Sequence, residues 1–288
     1  MIPAQFDYRA PKTLDEAVSL LVQHPDEAKI LAGGHSLIPA MKLRLAQPAL
    51  LVDIGRIKDL AYIREEGSRI SIGAMTTHYQ IESSDLLKQI CPMLPECASQ
   101  IGDVQVRNKG TIGGSLAHSD PAGDWPATIL ALEAELVAQG KTGERVIKAE
   151  NFFVDLLTTA LQPGEILREI RIGKPQGRYG HAYQKVRHPA SGFAVVGVAA
   201  SLSFAGNGSC ESAAIGITGV ASSAYRARNV ESALAGKQLD AQTVAAAASH
   251  ASDGVDANSD LYASEEYRRH LAAIYTRRAI ASAISRIN

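Results

Sequence analysis

The sequence predicts an α+β protein, because strands and helices are mixed along the first 175 residues and separate after them. Residues up to about 55 give a strand, loop, helix, strand unit, and residues 56–175 combine alternating strands with helices. From residue 176, three strands separated by turn-like residues predict an antiparallel meander, which helices follow. We therefore expect an N-terminal subdomain at 1–55, a second subdomain at 56–175 and a C-terminal domain with a three-stranded sheet at 176–288.

The N-terminal segment begins with a predicted strand at 6–8 and a helix after Thr13. Thr13 and Glu16 match a capping box, in which each side chain would bind a free amide at the helix start. Leu14, Ala17, Val18 and Leu21 follow at the spacing of one apolar helix face. Strands at 28–32 and 50–54 and a helix at 37–45 complete the unit.

The middle segment predicts strands at 69–74, 134–138 and 164–172, and helices at 85–101 and 125–132. Pro92 and Pro95 should interrupt the first of these helices, because proline lacks an amide donor. Residues 104–107 are predicted as a strand-like run before the second of two glycine-bearing segments. In the last segment, strands at 182–186, 194–204 and 212–220 precede helices at 226–235, 241–252 and 264–286.

Composition narrows the class of protein. The formal net charge is −1, with 29 basic and 30 acidic side chains, which gives no global field for nucleic acid or an anionic membrane. Three cysteines without a Cys-x-x-Cys pair favour free thiols in a reducing compartment and argue against metal or cluster ligands. The first 11 residues lack an apolar signal region, and we expect a cytoplasmic protein.

Two short glycine-bearing segments are the most informative motifs. Each follows a run that looks like a strand, and glycines there would let backbone amides approach a pyrophosphate without an intervening side chain. Ordinary turns also require glycine, and the chain has 24, so one such segment alone is weak. The first glycine segment is residues 32–36 (Ala32, Gly33, Gly34, His35, Ser36), and the second is residues 111–115 (Thr111, Ile112, Gly113, Gly114, Ser115).

These segments occur in order with two further motifs, Gly-Ala-Met-Thr-Thr at 73–77 and Ser-Asp-Pro-Ala-Gly-Asp at 119–124. Together the four motifs resemble the FAD-binding medium subunits of the xanthine oxidase family of molybdenum hydroxylases, and most of all those of aerobic carbon monoxide dehydrogenases. The resemblance spans essentially the whole chain. It implies a vanillyl-alcohol-oxidase-type FAD-binding fold of two α/β subdomains followed by a C-terminal domain, and no Gly-x-Gly-x-x-Gly unit suggests a Rossmann fold instead.

The resemblance also implies roles for single residues. The two glycine segments would hold the pyrophosphate of a non-covalent FAD from opposite sides, with His35 as a loop residue near ribose or phosphate and not a base. Asp124 aligns with an acidic residue near the FAD ribose, although a helix cap explains it equally well. Leu167 aligns with an apolar residue against the isoalloxazine, or packs in a buried strand. Lys185 matches a basic residue near the flavin ring.

The implied function is electron transfer. A large molybdenum-pterin subunit would oxidise substrate, a small iron-sulfur subunit would relay electrons, and this chain would pass them to an external acceptor. Scattered cysteines fit this division, because a cluster needs four ligands. Two alternatives remain open, a flavin-free scaffold subunit and a stand-alone FAD oxidase. No residue of this chain is predicted to be catalytic or to bind a metal.

Overall fold

The computed structural model describes residues 1–287. The first of its sheets is formed by the strands nearest the N-terminus. It is parallel, with strand order β1-β3-β2. Its elements are β1 (Asp7–Arg9), α1 (Leu14–Gln23), β2 (Ala28–Leu31), α2 (Leu37–Lys42) and β3 (Leu50–Asp53). Helix α1 buries Ala17 and Val18 against β3, as its apolar stripe predicts. Thr13 caps α1 by accepting from Glu16 N, but the Glu16 carboxylate accepts from Lys12 N, so only half of the predicted capping box forms.

The second sheet is antiparallel and has five strands in the order β4-β5-β10-β6-β7. Six helices and a small hairpin connect its strands. The elements are β4 (Ile63–Glu66), β5 (Arg69–Gly73), α3 (His78–Ser83), α4 (Asp85–Ile90), α5 (Met93–Ser99), α6 (Val104–Lys109), α7 (Ile112–His118), α8 (Asp124–Ala131), β6 (Glu135–Gly140), β7 (Gly143–Lys148), β8 (Phe153–Asp155), β9 (Thr158–Thr159) and β10 (Ile166–Gly173).

The predicted interruption of the helix at 85–101 is confirmed at Pro92, which separates α4 from α5, whereas Pro95 lies inside α5 and does not interrupt it. One expectation for this region is corrected. The strand-like run at 104–107 is the helix α6. Its first turn is stabilised by Asp103, whose carboxylate accepts from Val106 N at 2.9 Å, and this local cap outweighs the strand-like pattern.

The third sheet confirms the antiparallel meander and extends it by one strand. Its order is β11-β12-β13-β14, so the predicted three strands are four. The fourth was missed because two residues, Tyr225 and Arg226, are too few to show alternation. The elements are β11 (Arg178–Arg187), β12 (Ala194–Phe204), β13 (Cys210–Thr218), β14 (Tyr225–Arg226), α9 (Arg228–Leu234), α10 (Ala241–Ala248) and α11 (Glu265–Ile284).

Helix α8 joins the second and third sheets. All eight of its residues are buried, and Gly216 on β13 packs so closely that a Cβ there would lie 2.9 Å from the Ala127 carbonyl carbon. The turn before α8 is held from the same sheet, since Thr218 Oγ1 lies 2.7 Å from Pro121 O and 2.8 Å from Gly123 O. The start of α8 is therefore fixed relative to β11–β13. Among the described helices, none combines the length and apolar character that a bilayer crossing requires.

Candidate functional site

The two glycine segments, 80 residues apart in sequence, lie against each other. A Cβ on Gly33 would be 2.7 Å from Gly110 Cα and still closer to the Lys109 carbonyl oxygen, immediately before the second segment. A Cβ on Gly114 would be 3.4 Å from Ala32 Cβ. The glycines therefore permit a close approach of two backbones, and both segments border one site.

The first glycine segment carries unused backbone donors. It links β2 to α2, and Gly34 has φ +75°, a left-handed conformation that favours glycine. Within residues 1–287, the amides of Gly33, Gly34, His35 and Ser36 donate to no protein acceptor. Successive free amides in such a turn form an anion-binding nest. The His35 ring is turned to its own segment, with Nδ1 2.9 Å from Gly33 O.

The second glycine segment differs from its prediction as a bend after a strand. It is the first turn of α7, which follows α6, and Thr111 is its N-cap. Each of the next four amides already has a protein acceptor, at 2.9–3.1 Å: Ile112 N bonds Thr76 O, Gly113 N bonds Ala74 O, Gly114 N bonds Thr111 Oγ1 and Ser115 N bonds Thr111 O. The two segments therefore do not offer equal sets of donors.

Gly113 serves packing in this arrangement. A Cβ on it would lie 2.7 Å from the Ala74 carbonyl oxygen and 2.8 Å from Ala74 Cα. Ala74 N in turn donates to Arg168 O at 2.9 Å, at the bulge of β10. Leu167, the residue before this bulge, is 4% exposed and pairs with Ala138 of β6. The start of α7 is thus tied to the strand that carries Leu167, and contact of Leu167 with the isoalloxazine stays a prediction.

Asp124 and Lys185 form a buried ion pair beside α8. Their side chains are 4% and 1% exposed, and Lys185 Nζ is 2.7 Å from Asp124 Oδ1. Tyr183 OH donates to the same carboxylate at 2.5 Å, and Lys185 Nζ also donates to Gln100 O at 3.0 Å. Burial raises the pKa of the Asp124 carboxyl while the Lys185 ammonium opposes that shift, and burial raises the pKa of Tyr183 well above its ordinary value.

This pairing changes what the two residues present to a ligand. The positive charge of Lys185 is balanced by Asp124, so the pair offers a dipole in place of a free cation. The predicted ribose contact of Asp124 and flavin contact of Lys185 stay predictions. Asp124 is the first residue of α8, so the alternative role as its N-cap does not apply, since the N-cap is Gly123.

Two side chains in this region were not predicted from the sequence, Tyr183 and His78. Tyr183 lies two residues before Lys185 on β11, and this strand spacing places both on one face of the sheet. His78 directly follows the Gly-Ala-Met-Thr-Thr motif, is 4% exposed and accepts from Trp125 Nε1 at 3.0 Å. Period-two spacing was a usable signal for Tyr183, whereas the partner of His78 is 47 residues away and no local pattern indicates it.

The donor set fits a phosphate-containing cofactor and offers nothing comparable for a metal. Within residues 1–287, no group of three or more His, Cys, Asp or Glu is placed to hold a metal ion. Cys91, Cys97 and Cys210 are free and buried, and burial raises the pKa of each thiol. A nest of free amides in the first glycine segment, packed against the second one, is typical of nucleotide-binding proteins.

Comparison with known proteins makes that class specific. Residues 4–175 match the family described as FAD binding domain in molybdopterin dehydrogenase, and residues 181–283 match the CO dehydrogenase flavoprotein C-terminal domain. The chain is 42% identical to the carbon monoxide dehydrogenase medium chain of Hydrogenophaga pseudoflava, covering 99% of both. It is 36% identical to the glyceraldehyde dehydrogenase medium chain of Sulfolobus acidocaldarius, covering 97% of this chain and 98% of that one.

Solved structures agree. The carbon monoxide dehydrogenase of Hydrogenophaga pseudoflava superposes with a TM-score of 0.97 at 42% identity, over 100% of both chains. This chain therefore belongs to the FAD-binding medium subunits of the molybdenum hydroxylase family, and it is an oxidoreductase subunit whose cofactor is FAD. The resemblance inferred from the ordered motifs is confirmed.

Proposed function

We propose that this chain binds FAD non-covalently at the first glycine segment, receives electrons from iron–sulfur clusters of a small partner subunit and passes them to an external acceptor. A large molybdenum-pterin subunit would oxidise the substrate. The observation that carries the proposal is the set of four free amides, Gly33 to Ser36, in a segment that the second glycine segment buttresses. When bound, FAD supplies the exchange between single electrons and electron pairs.

Different residues of the chain have different roles in binding FAD. Amides of the first glycine segment are free to hold a diphosphate, whose charge they would share without a counter-cation. The amides of the second glycine segment are already bonded. This segment packs against the first one and supports its backbone conformation. The Asp124–Lys185 pair adds a fixed dipole that needs no reorganisation when charge develops nearby.

Association with partners is supported by the surface and by the relatives. Large apolar side chains are exposed at the β8–β9 hairpin, where Val154, Leu156 and Leu157 are 61%, 53% and 53% exposed. Exposed apolar patches are typical of interaction sites. The carbon monoxide dehydrogenase and glyceraldehyde dehydrogenase relatives are named medium chains, and such a name implies larger and smaller companions. The named substrates of these relatives differ, carbon monoxide in one and glyceraldehyde in the other.

The experiment is FAD binding by the purified full chain, followed by flavin fluorescence and the absorbance spectrum. We predict one FAD per chain, and loss of at least about tenfold in affinity in Gly34→Ala, because a left-handed residue with a Cβ deforms the nest. Gly67→Ala is the matched control. Gly67 has a similar φ of +61° in the exposed β4–β5 turn, with nothing within 4 Å of a new Cβ.

Two results would contradict the proposal. A wild-type chain that takes up no FAD would favour the flavin-free scaffold. A chain that turns over alcohols or aldehydes without partners would favour the stand-alone oxidase. Electron transfer itself is tested in the assembled complex, where substrate should reduce the flavin only when the iron–sulfur subunit is present.

A further inference from the structure

His78 is a buried polar side chain that the site described above does not use. It is the first residue of α3, and its backbone amide donates to Gly110 O at 3.0 Å. Its ring lies between the Trp125 indole, which is fully buried, and Gly110. The His78 ring therefore lies between α3, α8 and Gly110, the residue that directly precedes the second glycine segment.

The contact with Trp125 fixes which nitrogen of His78 carries the proton. Indole Nε1 is only a donor, so His78 Nδ1, 3.0 Å away, must be the acceptor. Burial, followed by the nearby charges of His35 and Arg107, lowers the pKa of His78 to about 4. At neutral pH the ring is therefore uncharged, with its proton on Nε2.

This Nε2–H has no acceptor within the protein. In the part of the chain that the structure describes it donates to no protein group, and although His78 is only 4% exposed, its Nε2 is not one of the fully buried atoms without a partner. The donor therefore reaches the protein surface, where an acceptor of a bound molecule can contact it. Nε2 is next to Gly110, where a Cβ would lie 2.7 Å from it, and the same glycine is what Gly33 of the first glycine segment packs against.

We propose that His78 is a further FAD-binding residue, donating its Nε2–H to an oxygen of the dinucleotide where that molecule lies across the two glycine segments. The acceptor is a pyrophosphate oxygen or a hydroxyl of the adjoining sugar chain, since both are oxygen acceptors beside the nest. This inference rests on the proposed FAD site. Trp125 is a positioning residue, because it acts by fixing the His78 tautomer.

Two variants distinguish a role of His78 in binding FAD from a role in packing. In His78→Asn the side-chain oxygen can still accept from Trp125 near the former Nδ1 position, but nothing replaces Nε2–H. In His78→Gln the amide reaches the former Nε2 position and can donate there. A residue that only fills space would tolerate or fail both changes alike.

The experiment is FAD titration of the full apo chain, with near-ultraviolet circular dichroism to establish folding. We expect His78→Asn to weaken FAD binding about tenfold or more, and His78→Gln to restore most of the affinity. Equal affinity in wild type and His78→Asn would overturn the proposal, as would equal losses in both folded variants. If wild type fails to bind FAD, the proposed function fails first.

A second measurement needs no variant. With ¹⁵N-labelled histidine, the wild-type chain should show His78 protonated at Nε2, and this resonance should shift when FAD is added. An unchanged resonance with FAD bound would overturn the proposal even if both variants misfold. The ³¹P signals of bound FAD identify the acceptor: a shift in His78→Asn indicates the pyrophosphate, and lost affinity without a shift indicates a sugar hydroxyl.

Discussion

At the scale of single residues, the molecule keeps several ionisable groups away from water. The Asp124–Lys185 pair stays satisfied because Tyr183 and the Gln100 carbonyl complete its hydrogen bonds. Removing one member would leave a buried charge without a partner, which typically costs about 3–5 kcal/mol. His181 is also buried, at 7% exposed, and within residues 1–287 the hydrogen-bonding partner of its Nδ1 is the Cys91 sulfur, at 3.8 Å.

We predict that the free energy of unfolding decreases as pH falls from about 6.5 to 4. Burial lowers the pKa of His181 and of His78 to about 4 in the folded chain, while an unfolded histidine titrates near 6.5. In this window the unfolded state therefore binds more protons, which favours unfolding by up to about 3 kcal/mol per histidine. Urea unfolding at successive pH values measures this dependence of the free energy of unfolding on pH.

The control for this prediction is the exposed His270. His181→Gln should give a shallower dependence of stability on pH, because one of the two buried titrations is gone. His270→Gln should leave the dependence unchanged. A wild-type dependence in His181→Gln would contradict the assignment.

At the scale of elements, the two glycine segments look alike in sequence and act differently. The first has free amides, whereas the second is a helix start whose amides are bonded to α7 itself and to residues 74 and 76. Sequence could indicate that both backbones come close, because glycine is the only residue that permits it. It could not indicate which amides are free, because the acceptors Ala74 O and Thr76 O lie about 40 residues from their donors.

We predict that Gly113→Ala lowers the stability of the apo chain, by about 1–3 kcal/mol, because its Cβ would overlap the Ala74 backbone. Gly34→Ala should reduce FAD affinity more than Gly113→Ala does, because a Cβ at the left-handed φ of +75° distorts the free amides of the first glycine segment. Thermal unfolding without FAD and FAD titration, performed on both variants, give the comparison. The reverse order of effects would show that the second glycine segment is the principal donor.

At the scale of the whole molecule, the site depends on parts distant in sequence. Core residues Tyr183 and Ala199 of the third sheet belong to the same cluster as Trp125 and Ile70, so the C-terminal region helps to build the FAD-binding half. The ordered motifs and the meander allowed the fold and the family to be predicted. The division at 1–55, 56–175 and 176–288 stays a prediction, and the shared core argues that the last two parts do not unfold independently.

The central claim is that the free amides of the first glycine segment bind the diphosphate of FAD. The direct measurement is amide NMR of the ²H,¹⁵N-labelled chain during titration with FAD, and with ADP as a flavin-free diphosphate. We predict large shifts for the Gly33, Gly34, His35 and Ser36 amides with both ligands, and small ones for the bonded amides of Ile112 and Gly113. If FAD binds while the amides of residues 33–36 do not move, the claim is wrong.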